Sequence, residues 1–276
     1  MSKNKFGNYS ISIILAIIAA VQIFPLIWLI FFSLKSDAEI FGENIIGLPQ
    51  KFLWQNYSKA LVGGNAGMYF LNSVFVTGVT IILSGVLSSM AAYAIVRMKW
   101  KLRKPVLTIF LLGMMIPIHA ALLPLFLILK NLNLYDSPLA LIVPYTAFAL
   151  PMSIFILTSF LQSIPKELEE AALIDGCNIY QAFFSIIVPV LKPALATISI
   201  FTYLSTWNEL MFAVTFISKR EYKTLTVGIM SMVGQYSTNW GPIGAGLVIA
   251  TLPTIIIYIL MSSQVQKSLT SGAVKG

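Results

Sequence analysis

Glu167-Leu168-Glu169-Glu170-Ala171-Ala172-Leu173-Ile174-Asp175-Gly176, running on to Ile186-Ile187-Val188-Pro189, decides how the rest of this chain is read. Four carboxylates, Glu167, Glu169, Glu170 and Asp175, stand together in a chain that is otherwise largely apolar. Pro165 suits a first helical position, and the acids behind it lie where the helix dipole favours negative charge. Leu168, Ala171 and Ala172 recur at i, i+3, i+4 and form one small apolar face. Asp175-Gly176 reads as a turn, because glycine is free to take positive φ. A second short helix from about Asn178 is expected to end near Pro189, which cannot continue the helical hydrogen bonding of its own turn. The spacing predicts a helix–turn–helix at a membrane surface, apolar on one side and acidic on the other. That shape suits a groove of another protein. The alternative is an ordinary amphipathic interfacial helix.

The membrane setting comes from composition. Of 276 residues, 58% are hydrophobic and 10% charged, and the mean hydropathy is +0.86. Soluble domains carry about 25% charged residues, so a membrane protein is expected. The formal charge of +8 comes from basic residues beside apolar segments, the positive-inside pattern. Basic runs interleaved with aromatics in a polar setting are absent, which argues against nucleic-acid binding. One cysteine, Cys177, excludes an internal disulfide, and one histidine, His119, excludes a His-rich metal site. No cofactor is implied.

Six apolar segments are long enough to span a core that needs ~20 residues. They cover residues 11–34, 69–96, 106–129, 139–161, 193–217 and 243–265. The first lacks the short apolar core and cleavage site of a signal peptide and reads as a retained span. The second is rich in Gly, Ser and Ala, which permit close helix contact in lipid. Pro117, Pro124, Pro144 and Pro151 free backbone carbonyls in the third and fourth. They are read either as packing kinks or as bends of a pore-lining helix. Residues 97–104 form a short, densely basic loop and set the orientation: that loop, the acidic loop at 162–189 and both termini are cytoplasmic. Residues 218–242 form an outer loop and 266–276 a cytoplasmic tail. The whole chain, 1–276, reads as a single all-α membrane domain with no internal repeat.

No glycine is followed by lysine, so there is no G-x-x-x-x-G-K-[ST] phosphate loop. Ionisable groups are nearly absent from the spans, where ion coupling would need them. Glu209, in Trp207-Asn208-Glu209, and His119 are the candidates. Glu209 reads either as part of a substrate pathway, with Trp207 as aromatic platform and Asn208 as hydrogen-bonding neighbour, or as a carboxylate satisfied by Asn208 or an adjacent helix. His119 is better read as a packing histidine, since a lone His has no relay partner. A chain with a docking loop and no ATPase of its own should borrow its energy.

Glu170-Ala171-Ala172, Gly176, Ile186 and Pro189 resemble the EAA loop of ABC-importer membrane subunits, with Val188 where Leu is usual and Cys177 where Ala is common. Trp207-Asn208-Glu209, Asn72-Ser73, Ala91-Ala92-Tyr93-Ala94 and Leu269-Thr270-Ser271-Gly272-Ala273-Val274-Lys275-Gly276 are similar to the second permease subunit of maltose-type and multi-sugar importers. The resemblance implies an all-α, polytopic type I importer permease in a prokaryotic cell membrane. It implies no catalysis, and Glu170, Ala171, Ala172, Asp175, Gly176, Ile186 and Pro189 engaging an ATPase. It also implies four kinds of partner: a homologous permease, two ABC ATPase subunits, an extracytoplasmic solute-binding protein and a sugar, a di- or oligosaccharide. Gln235, Tyr236, Asn239 and Trp240 match the place where the outer loop reaches the binding protein, and residues 268–276 the tail that touches the ATPases. The rivals are an ABC permease for glycerol phosphate, polyamine or peptide, an ion-coupled secondary transporter, and an intramembrane enzyme. A phosphate-bearing substrate would want Arg or Lys in the pathway, and no span holds one. An enzyme would need a nucleophile with a base in reach.

Overall fold

The computed structural model describes residues 5–234 and 238–273, with side chains for 11–234 and 238–261. Its main helices are α1 (Lys5–Ser33), α2 (Ala66–Arg97), α3 (Arg103–Gly113), α4 (Leu122–Asn131) and α5 (Leu139–Gln162). They continue as α6 (Glu167–Ile174), α7 (Ile179–Ala182), α8 (Lys192–Trp207), α9 (Met211–Phe216), α10 (Leu225–Met230) and α11 (Trp240–Ala273). Among the described residues, four stretches are long and apolar enough to cross a membrane: Ile11–Ser33, Ala66–Arg97, Leu139–Gln162 and Trp240–Met261. Two bent pairs raise that number to six if each counts as one span. Arg103–Gly113 meets Ile118–Asn131 at 94°, and Ile179–Val190 meets Lys192–Trp207 at 71°.

The prolines act differently from one another. Pro144 and Pro151 lie inside α5, which runs through both without a break. The break comes at Pro117, whose extended backbone precedes the turn Ile118–Ala121. A helix in lipid tolerates proline where neighbours satisfy the freed carbonyls. Gly113 makes room beside one of these prolines, since a Cβ there would lie 3.2 Å from the Pro151 ring. The helix at 192–207 also stops before the end of the expected fifth span, and the last helix begins at Trp240, within the segment expected to be loop.

The chain forms two compact units, Met1–Gly67 with Gly228–Pro253, and Met68–Val227 with Thr254–Gly276. In the first, α1 exposes its apolar side chains from Ile11 to Ile23, as a lipid-facing helix does. Its C-terminal end is held by polar groups. Lys35 is 1% exposed, and its Nζ donates to the carbonyls of Asn44 (2.6 Å) and Ile45 (3.2 Å). Asn56 Nδ2 donates to the carbonyls of Ser33 and Lys35, each at 2.9 Å. The start of α11 packs on this end through glycines. A Cβ at Gly241 would lie 2.7 Å from the Lys35 carbonyl, and one at Gly244 would lie 2.5 Å from the Phe32 ring. Small residues give such close approach in lipid.

The second unit has two clusters of buried apolar side chains at opposite ends of α5. One gathers Leu141, Tyr145, Phe212 and Phe216. The other gathers Tyr93, Leu157, Leu161, Phe183, Ile187 and Leu191. A helix of 24 residues is about 36 Å long, so these ends are separate neighbourhoods. Outside them, Asn72 Nδ2 donates to the carbonyls of Glu221 (2.7 Å) and Lys223 (3.0 Å), and Leu225 N–H donates to Ser73 Oγ (2.8 Å). The Asn72-Ser73 pair thus pins the segment that follows α9.

Candidate functional site

The helix–turn–helix forms as the spacing predicts, with a different face buried. α6 starts at Glu167, so Pro165 precedes the helix and is not its first residue. Glu167, Glu169 and Glu170 fill its first turn, where unpaired N–H groups and the dipole favour acids. It ends in a paired cap. Cys177 N–H donates to the Ala172 carbonyl (3.0 Å) and Gly176 N–H to the Leu173 carbonyl (3.2 Å), the Schellman arrangement. Gly176 has φ +87°, and glycine adopts that conformation without the Cβ penalty. Asn178 then opens α7 with a capping box: its Oδ1 accepts from Gln181 N–H (2.9 Å), and Gln181 Oε1 accepts from Asn178 N–H (2.8 Å).

Leu168 and Ala171 do not form the buried face of α6. Glu169 and Ala172, at i and i+3, are buried instead, and Leu168 and Ala171 are exposed. Glu169 turns inward because it has a partner. Arg97, the last residue of α2, donates from Nε to the Glu169 carboxylate and from Nη2 to the Ile164 carbonyl (2.8 Å). The two side chains are 6% and 11% exposed, so the pair is shielded from water. The acids are therefore not all on the outer side, and the outer side is not purely acidic. Leu168 (45%), Leu173 (53%) and Ile174 (85%) face outward beside exposed Glu170 and Asp175.

Beyond α7 the chain passes through a π-helical turn, Phe183–Ile187, before bending into α8. Phe183, Ile187 and Leu191 are buried against Tyr93, Leu157 and Leu161. This root ties the outward-facing helix to the ends of α2 and α5. Ile186 is only half-buried and Pro189 exposed, so Ile187 carries the packing. Sequence reading missed Arg97, Glu169, Phe183, Ile187 and Leu191 as a set. The four-residue spacing of the last three was the available signal.

The Trp207-Asn208-Glu209 triplet lies where α8 ends, not within a continuous helix. Trp207 is buried, stacked on Tyr203 at 5.5 Å with Phe70 edge-on at 5.7 Å. Asn208 is exposed and donates to the Leu204 carbonyl (2.8 Å). Glu209 caps α9: its carboxylate accepts from Phe212 N–H (3.0 Å) and Ala213 N–H (3.2 Å). Tyr145 OH donates to the same carboxylate at 2.7 Å. The three side chains therefore point to different surroundings, and the Glu209 carboxylate has protein partners. His119 is exposed, edge-on to Phe212 at 6.1 Å.

Of the residues expected to reach the binding protein, Gln235 and Tyr236 lie outside the described residues. Asn239 is exposed. Trp240 is the first residue of α11, its N–H donating to Asp37 Oδ1 (2.8 Å) and its ring edge-on to Phe41. Among the described residues no group of His, Cys, Asp and Glu could hold a metal ion.

The family model described as the inner membrane component of binding-protein-dependent transport systems matches residues 82–269. The chain belongs to this family. It is a multi-pass inner-membrane permease subunit of an ABC importer, a non-catalytic component whose family implies an ATPase and a solute-binding protein as partners. It is similar to the sulfoquinovosyl glycerol transport system permease protein SmoH of Agrobacterium fabrum, 36% identical over 92% of this chain and 89% of that protein. It is also similar to the melibiose/raffinose/stachyose import permease protein MelC of Bacillus subtilis, 32% identical over 96% of each. A solved bacterial ABC transporter involved in the import of the acidic polysaccharide alginate contains a chain of the same fold. Its TM-score is 0.83 and its identity 23%, over 95% of this permease and 98% of that chain.

Proposed function

We propose that this permease forms half of a sugar translocation pathway, beside a homologous permease, and receives its driving force through α6. One observation carries the reading. α6 is capped at its C-terminal end, anchored by a buried ion pair, and still presents Leu168, Leu173 and Ile174 to the outside. Exposed apolar side chains on a rigid, acid-flanked helix suit the groove of a partner. Two ATPase subunits closing on ATP would displace such a helix as a rigid body, and its root at Phe183, Ile187 and Leu191 would pass the movement to α2 and α5. Glu170, Ala171, Ala172, Asp175 and Gly176 form the docking side and turn, with Ile186 and Pro189 at the root. The basic segment 97–104 and both termini lie on the cytoplasmic side with α6. A di- or oligosaccharide is the substrate supported by the relatives' sugar cargo, and delivery by an extracytoplasmic binding protein follows from the family.

Ile174→Cys in the assembled transporter tests the docking. A disulfide or maleimide cross-link from that position to the ATPase subunit, altered by ATP, is the expected result. Sugar uptake into liposomes by this chain without any ATPase, or labelling of Ile174→Cys from the extracytoplasmic side, would overturn it. Mass spectrometry of the complex purified in mild detergent identifies the partners, and the ligand of the co-purified binding protein identifies the sugar.

A further inference from the structure

An apolar groove of about 230 Å³ opens beside the root of the coupling segment. Met90, Tyr93, Ala94 and Met98 of α2 and its end line one side, and Tyr180 and Phe184 the other. Tyr180 and Phe184 are 74% and 60% exposed, so the groove opens outward and is not part of the core. The chain continues from Met98 into the basic segment: Lys99, Lys101 and Lys104 are exposed, and Trp100 Nε1 holds the turn by donating to the Ala94 carbonyl (2.8 Å). An apolar slot, the exposed Tyr180 at its opening and exposed cations one to three residues from its end are the features that fit one class of ligand. We propose that the groove binds an anionic glycerophospholipid of the cytoplasmic leaflet, one acyl chain between Met90 and Phe184 and its phosphate toward Lys99 and Lys101.

The physical argument has two parts. Met90, Ala94 and Met98 offer no hydrogen bond to a polar occupant, so the gain on filling the groove is burial of methylenes against apolar and aromatic side chains. Selectivity then comes from charge. Each Lys or Arg near a membrane surface favours anionic lipid by roughly fivefold, and the exposed Tyr180 suits the headgroup level. This assignment rests on the cytoplasmic placement of residues 97–104. A lipid here would bridge α2 to the segment that carries the docking helix.

Native mass spectrometry of the assembled transporter, in detergent with equal phosphatidylglycerol and phosphatidylcholine, tests the proposal. The wild-type complex is expected to retain phosphatidylglycerol in preference. Ala94→Phe, which fills the slot from α2, is expected to lose the retained lipid. Lys99→Gln with Lys101→Gln is expected to keep a lipid and lose its preference, by about fivefold per lysine. Equal retention of the two lipids by the wild-type complex overturns the proposal. So does undiminished phosphatidylglycerol on an assembled Ala94→Phe complex, or a cross-link from Met90→Cys to the partner permease, which would show that a protein covers the groove. If Ala94→Phe does not assemble, an unchanged preference in the lysine variant is decisive against it. Co-purification of the ATPase in the same sample reports separately on the permease assignment.

Discussion

Glu169→Gln isolates the charge of the pair that holds α6. The substitution keeps the shape of the side chain and removes its negative charge. Arg97 then keeps its bond to the Ile164 carbonyl and loses its counter-charge in a site where the side chains are 6% and 11% exposed. The exposure decides the magnitude. A solvent-exposed ion pair is worth ~0–1 kcal/mol, whereas leaving one member of a buried pair alone costs ~3–5 kcal/mol. A loss of about 3 kcal/mol corresponds to about a hundredfold rise in the opening equilibrium of the anchored segment. Hydrogen exchange of the backbone amides in residues 167–177 reads that local opening directly. The expected result is a rise of about two orders of magnitude there, with little change near Leu141 and Phe216 at the other end of α5. Arg97→Met should produce a similar rise. The double variant Arg97→Met/Glu169→Leu should recover much of it, since apolar replacement of a buried pair is often neutral. Rises below about threefold in both single variants, adding in the double, would show that the pair does not anchor α6. If α6 is the docking helix proposed above, sugar uptake should fall in Glu169→Gln while the ATPase still co-purifies, because the outward side is untouched and the link behind it is loosened.

Outcomes at three further positions follow from the geometry. Gly176→Asp should impair uptake and ATPase association. A Cβ there meets nothing within 4 Å, and Asp and Asn both tolerate the left-handed backbone, so the effect comes mainly from the added charge, and Gly176→Asn, which adds none, should be much milder. Glu209→Ala should lower the melting temperature of the purified complex by leaving the Phe212 and Ala213 N–H groups unpaired, at ~1–3 kcal/mol. Glu209→Gln should retain uptake with unchanged KM if the carboxylate serves only as a cap; a raised KM would place Glu209 in the substrate pathway. Gly244→Ala should destabilise by overpacking against Phe32, at ~1–3 kcal/mol, measurable as a lower melting temperature and rescued by Phe32→Leu.

Local chemistry explains what was legible in the sequence. Asp175-Gly176 announced a turn because only a few residues accept positive φ, and the Gly176 backbone shows it. Acids at 167, 169 and 170 announced a helix start for the same kind of local reason. The apolar stretches were legible by length alone. What was not legible depends on partners distant in sequence. Glu169 is separated from Arg97 by 72 residues, and without that partner the Leu168, Ala171, Ala172 stripe is the reasonable choice for the buried face. Pro144 and Pro151 leave α5 unbroken and Pro117 does not, although local sequence treats all three alike. Whether a freed carbonyl finds a neighbour is a property of packing. The Asp37 carboxylate meets Trp240 203 residues on, so the early start of α11 was invisible in the sequence around it.

Lys35, Arg97 and Glu209, three ionisable groups shielded at the ends of apolar helices, share one feature that bears on the energy source. Lys35 closes on two carbonyls at the end of α1, Arg97 on Glu169 and Ile164 at the end of α2, and Glu209 on Tyr145 and two N–H groups at the end of α8. Each joins a helix end to a nearby segment, and each is satisfied locally. A proton or ion relay needs groups that exchange partners along a path. These groups instead fix the geometry of breaks and bends, which is what a lever requires. In α6 the same logic leaves one element with a rigid back and an apolar front: Glu169 held behind, Ile174 exposed ahead. Such an element is suited to pass on a displacement applied from outside, and these three groups, among the described residues, form no relay for an ion gradient. This favours the ATP-driven importer over the ion-coupled transporter on physical grounds independent of the family match.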